Sequence, residues 1–170
     1  MRLKKRRAEG AASEAHSVAA PVKIEGSEKL PAPRSAVWRA LMDPAVLKRC
    51  IPGCEKLEPA GDNHYNAVFK AGIGGIKGTF TGNVSISDIV PEKEYTLSSR
   101  AKAGVGFVEG KGRLQLLDAE EGTQTIIQYS GDVKLGGMLA SVAGRLFDAA
   151  ARKNISDMFQ NLAREFRQSK

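Results

Sequence analysis

Fourteen of the eighteen glycines fall between Gly72 and Gly144, so the first chemistry to weigh is the cradling of a phosphate by a glycine-rich loop. The densest stretch, Gly72-Ile73-Gly74-Gly75-Ile76-Lys77-Gly78, lacks the third glycine of a dinucleotide fingerprint. Lys77-Gly78-Thr79 reverses the order that a nucleoside-triphosphate loop requires. Both motifs also need a parallel βα unit, and the surrounding pattern is antiparallel. Glycines in strands have another physical use: they clear side chains where a sheet bends sharply or where something must approach its backbone. Gly78, Gly82, Gly104, Gly106, Gly110 and Gly112 sit where such bends are expected.

Cys50 and Cys54 are the two cysteines, with His16 and His64 as the remaining soft ligands. A structural zinc site needs four close ligands, and His16 stands far off near the N-terminus, so no metal is expected. For Cys54 to act as a nucleophile it needs a base and a group to orient that base. His64 falls across a hairpin on a polar strand face and nothing supplies the third group, so both thiols read as structural. The carboxylates Glu28, Glu55, Glu109, Asp132 and Asp148 form no spaced pair. Glu109 stands out because Gly106-Phe107-Val108-Glu109-Gly110 thins its surroundings.

The elements that would position these groups follow from periodicity. Residues 22–30 read as a strand stopped by Pro31 and Pro33, with a short helix from about Ser35 carrying Val37, Trp38 and Leu41 on one face. Asp43 caps a second helix with Pro44 at its first position, and Pro52-Gly53 ends it. From Glu55 to Leu135 the chain alternates with period two. Phe80, Val84 and Ile86 oppose Thr79, Thr81, Asn83, Ser85 and Ser87, and Tyr65, Ala67 and Phe69 oppose His64, Asn66 and Lys70. Turn clusters at 60–63, 74–75, 91–92, 103–104 and 120–122 make this an antiparallel meander of six strands. Residues 138–168 carry apolar side chains at helical spacing, which predicts one helix of about 30 residues, ~45 Å long.

The 170 residues suit one domain. The formal charge of +7 is uneven, with +3 in residues 1–20 from Arg2, Lys4, Lys5, Arg6 and Arg7 against Glu9 and Glu14. That segment, without apolar period, is expected to be a basic disordered tail, with the folded domain spanning 21–170. Two carboxylates interrupt any secretory apolar region, and no window approaches the ~18 apolar residues of a membrane span. A cytoplasmic protein with reduced cysteines is expected. Nucleic-acid binding would interleave basic and aromatic residues on one strand face. Here Tyr65, Phe80 and Tyr95 share faces with apolar residues, so no nucleic acid is expected as a partner.

The order of elements, with Val37-Trp38, Asp43-Pro44 and Cys50-Ile51-Pro52-Gly53-Cys54-Glu55, resembles the CoxG family associated with carbon monoxide dehydrogenase. That family lies within the START-like, polyketide cyclase (SRPBCC) superfamily. The resemblance continues through Tyr65, Gly78, Gly106-Phe107, Gly110, Gly112, Leu135-Gly136-Gly137, Leu139 and Gly144 to Leu146, over about residues 22–166. It implies an α+β helix-grip fold, with a curved antiparallel sheet of about seven strands wrapped around a long C-terminal helix. It also implies a non-catalytic binding protein without a cofactor, holding a hydrophobic small molecule such as a quinone or lipid. The partners it implies are the subunits of a molybdenum-containing dehydrogenase, with peripheral contact at the inner face of the cell membrane.

Whether such a grip packs solid or leaves a cavity stays open on these residues. Strand parity and helix phase nominate Phe69, Phe80, Val84, Leu97, Phe107, Leu114, Leu139, Val142, Leu146 and Met158 as its lining. Many family members carry an extended C-terminal tail linked to membrane attachment, whereas this sequence ends four residues after Phe166. The basic segment Leu3-Lys4-Lys5-Arg6-Arg7 is the expected substitute. Two rival readings remain. A cyclase- or hydratase-type enzyme would need Glu109 or Tyr129 facing inward with a perturbed pKa. A protein-interaction module would have a filled core.

Overall fold

A computed structural model describes residues 19–168. Apart from its last two residues, the expected basic tail lies outside the described residues. The strands are β1 (Val22–Leu30), β2 (Cys54–Pro59), β3 (His64–Ile73), β4 (Ile76–Val90), β5 (Glu94–Ala103), β6 (Gly106–Ala119) and β7 (Gln124–Gly137). Between β1 and β2 stand the helices α1 (Arg34–Leu41) and α2 (Pro44–Cys50), and α3 (Arg145–Gln168) closes the chain. The seven strands form one sheet in the order β1-β7-β6-β5-β4-β3-β2, with every pairing antiparallel. Consecutive strands from β2 to β7 are neighbours because their turns are short. The α1–α2 pair carries the chain from one edge of the sheet to the other.

The local signals act as their chemistry requires. The Asp43 carboxylate accepts a hydrogen bond from the Ala45 backbone N–H at 3.0 Å, and Pro44 takes the first turn of α2, where its missing N–H costs nothing. Pro31 and Pro33 separate β1 from α1, whose first internal bond runs from the Val37 N–H to the Pro33 carbonyl.

The expected 30-residue helix is corrected. Residues Met138–Val142 form a 3₁₀ turn, Gly144 adopts φ +91°, and α3 begins at Arg145 with 24 residues, ~36 Å of helix. Leu139 and Val142 are three apart, a spacing that a 3₁₀ turn places on one side as readily as an α-helix does. Periodicity therefore runs unbroken across the join.

The helices pack on one face of the sheet, here the inner face, and the apolar core is divided. One cluster joins the α1–α2 pair to the C-terminal half of α3 through Leu30, Val37, Leu41, Ile127, Phe159 and Leu162. The other joins Ile24, Phe80, Leu135, Leu139, Val142 and Phe147 at the opposite end. Tyr129 and Ile155 border both. Fully burying a side chain of this class contributes ~1.5–3 kcal/mol, so both ends of α3 are firmly held.

Candidate functional site

Register assigns each strand residue to a face. Tyr65, Val84, Ser99 and Gly110 lie across from one another on the inner face, as do Ile86, Leu97 and Gly112 in the next row, and Tyr95, Leu114, Tyr129 and Gly26 in the row beyond. The first two rows lie toward the middle of the sheet, whereas Leu114 and Tyr129 of the third pack against the first cluster. Leu97 is 36% exposed although it points to the inner side, and Val84, Ser99 and Tyr65 are only half-buried. The sheet surface between the clusters is therefore incompletely covered.

Glycines shape this middle region by close approach. Gly112 and Gly131 are opposite one another in β6 and β7, and a Cβ on Gly131 would stand 2.7 Å from the Lys111 carbonyl oxygen. A side chain at that position is excluded, and the backbones run close beneath the open space.

The polar groups on the inner face are few. Thr125 is wholly buried and its hydroxyl donates to the Ala32 carbonyl at 2.8 Å. Tyr95 is buried with its ring edge-on to Trp38, centroids 5.7 Å apart, and burial drives its phenol well above the usual range. Tyr129 stacks on Phe159 with centroids 6.2 Å apart. Burial first, then the Glu28 carboxylate, push its phenol pKa upward, with Arg152 opposing. Burial raises the Glu28 carboxyl too. Burial thus shifts both groups toward their neutral forms, in which each would carry a hydrogen-bond donor.

The ten nominated residues have different situations. Phe69 and Phe80 stack in opposed positions of β3 and β4, 5.3 Å apart, and join Leu139 and Val142 in the second cluster. Leu114 and Met158 pack against the first cluster. Val84 and Leu97 border the uncovered middle. Leu146 stands in the first turn of α3, 57% exposed, against Gly74. Phe107 lies on the outer face, opposite Lys102 and Gly136, with the Arg100 guanidinium 5.7 Å above its ring. The reason is parity: β6 pairs without a bulge from Gly106 to Ala119, so residues seven apart, such as Phe107 and Leu114, must face opposite ways.

Glu109 also faces outward, with Arg100 at 4.0 Å, whereas Tyr129 faces inward. The Gly26–Tyr129 juxtaposition carries no motif in the sequence, and Glu28 stands there as one carboxylate among several. The alternation of Val22, Ile24 and Leu30 with the polar positions of β1 puts Glu28 on the core side, and that is the signal that could have found it.

The cysteines are separated from His64. Cys54 pairs in register with Phe69, five residues along β3 from His64, whose ring nitrogen engages the Asp62 carbonyl oxygen at 2.7 Å. Burial raises both thiol pKa values. Among the described residues no three His, Cys, Asp or Glu side chains come together as a metal site would need. Two polar grooves of about 380 and 410 Å³ lie on the outer face, one around Arg100, Glu109, Lys111 and Lys134, the other around Glu25, Arg113 and Gln128. No helix among the described residues is long and apolar enough to cross a membrane.

Comparison with known proteins adds to this geometry. A family model that describes the CoxG subunit of carbon monoxide dehydrogenase matches residues 26–167. No curated protein matches. Among solved structures, a conserved protein from Geobacillus kaustophilus is 32% identical, with a TM-score of 0.82 over 87% of this chain and 97% of that one. The ZhuI aromatase/cyclase from Streptomyces sp. R1128 is 14% identical, with a TM-score of 0.64 over 86% of this chain and 93% of that one. A START superfamily protein from Mycobacterium smegmatis is 11% identical, with a TM-score of 0.66 over 89% of this chain and all (100%) of that one. At those identities the last two show the fold, which is the START-like helix grip.

Proposed function

The chain belongs to the CoxG family of carbon monoxide dehydrogenase, and from that membership we propose that it binds a hydrophobic small molecule, a quinone or other isoprenoid, between the sheet and α3. It serves as a non-catalytic accessory of a molybdenum-containing dehydrogenase, taking part in membrane recruitment or electron transfer to quinone. The observation that carries this reading is the divided core: Leu97, 36% exposed, and half-buried Val84 present apolar surface on the inner face outside both clusters. A ligand ring and chain laid there would be withdrawn from water at about 25 cal/mol per Å² of apolar surface. The Tyr129 phenol, which burial keeps protonated, points to the same side of the sheet and can donate to a carbonyl oxygen of a head group.

Inward-facing Tyr129 with a raised pKa is the feature that an enzyme of the cyclase kind would also use. The raised value favours the protonated phenol, a hydrogen-bond donor rather than a general base, which supports the binding reading. The close packing of Phe80, Leu139 and Val142 favours the other rival, a filled-core interaction module. Native mass spectrometry and lipid extraction of protein purified from its own cells separate these readings. A co-purifying isoprenoid quinone is expected, and recovery of protein without any apolar small molecule would count against the carrier.

A further inference from the structure

Three segments meet at one end of the sheet. The β5–β6 turn and the 3₁₀ turn are joined by a hydrogen bond from the Leu139 N–H to the Val105 carbonyl, 3.3 Å. The β3–β4 turn closes on them: a Cβ on Gly74 would lie 3.3 Å from Leu146 Cδ1 and 3.5 Å from Val142 Cγ1. At this end stand the two most exposed large apolar side chains of the described residues, Met138 at 60% and Leu146 at 57%. They belong to different elements, so their exposure is not a single frayed turn.

The charge at this end is of one sign. Residues 70–78, 100–108 and 134–147 contain Lys70, Lys77, Arg100, Lys102, Lys134 and Arg145 and no Asp or Glu. Lys70 reaches Glu55 and Arg100 reaches Glu109 at the margin. Lys77, Lys102, Lys134 and Arg145 pair with no carboxylate among the described residues. Ala19, the first of the described residues, also lies here, its N–H donating to the Leu135 carbonyl at 2.9 Å.

We propose that this end is a docking face for an anionic lipid bilayer, with Met138 and Leu146 entering the interfacial region and the basic side chains lying against headgroup phosphates. Peripheral binding of useful strength takes two signals, apolar insertion and a polybasic surface, and Met138 and Leu146 supply the first and Lys77, Lys102 and Arg145 the second at this end of the sheet. Three converging segments without a single acid suit a uniformly negative surface. This inference rests on the proposed carrier role, since a carrier of a bilayer-dissolved ligand must visit a bilayer.

Co-sedimentation of the full chain with vesicles tests it, using phosphatidylcholine alone and phosphatidylcholine mixed with phosphatidylglycerol. Binding is expected with phosphatidylglycerol only and weakens with salt. M138S/L146S and K77E/K102E, altered only at exposed positions, should each lower the partition coefficient at least ~tenfold. Both should keep wild-type melting, and K77E/K102E, which alters no nominated lining residue, should keep wild-type binding of a soluble quinone. Failure of the full chain to sediment with phosphatidylglycerol vesicles, or sedimentation unchanged by both variants, overturns the docking face. A wild-type chain that binds these vesicles in the predicted way but takes up no quinone supports the face and sinks the carrier reading, so the two fail separately.

Discussion

The Tyr129 phenol lies across Gly26: a Cβ placed on that glycine would stand 2.5 Å from the Tyr129 hydroxyl oxygen and 2.8 Å from its Cζ. The ring cannot simply withdraw, because its other side is stacked on Phe159. G26A should therefore cost about 1–3 kcal/mol, the usual range for overpacking. Adding Y129F should restore part of that loss by removing the closest atom. Urea unfolding of the two single variants and the double variant measures the coupling.

A buried hydrogen bond ties the end of β1 to β7. Thr125 Oγ1 donates to the Ala32 carbonyl at 2.8 Å with Thr125 wholly buried. T125V keeps the shape and leaves the carbonyl unmet, which should cost about 1–3 kcal/mol. T125S keeps the donor and should recover the hydrogen-bond part of the loss.

Glu28 sets a pH dependence of definite sign. Burial holds its carboxyl above the ordinary value of 4.5, so folding favours the protonated acid. Its contribution to stability is full below the ordinary carboxylate range and is lost as pH rises through its raised value. E28Q, which stays neutral, should be more stable than wild type at neutral pH. The difference should vanish as the medium is acidified past that range, as followed by denaturant midpoints across pH.

The thiols should prove unreactive. Cys50 is buried, Cys54 half-buried, and burial raises both pKa values, leaving little thiolate at neutral pH. In C54S, labelling of the remaining Cys50 by a thiol reagent should wait for unfolding. Rapid labelling of the native protein would contradict a structural role.

Much of this architecture was legible because it rests on local chemistry. Period-two alternation and turn clusters delimit β2 to β7, and Asp43-Pro44 marks the start of α2. What escaped depends on how elements meet. Leu139 and Val142 keep a spacing that helix and 3₁₀ turn share, so the break at Gly144 is hidden from periodicity. Phe107 looked inward because it is apolar, yet its parity with Leu114 sends it outward beneath Arg100. Leu97 and Phe80 are indistinguishable by alternation. One is left partly exposed and the other is core, because the buried clusters take in Phe80 and leave Leu97 out.

The proposed apolar ligand lies against the inner face at Leu97 and Val84. The single tryptophan, Trp38, sits edge-on to Tyr95 on that side of the sheet, and quinones quench indole fluorescence. Titration with a short-chain quinone should therefore give saturable quenching of Trp38. L97R, which places a charge in the space, should weaken it at least ~tenfold, while F107A on the outer face should leave it unchanged. Absence of saturable quenching in the wild-type chain, or equal affinity in L97R, would contradict a ligand at this face.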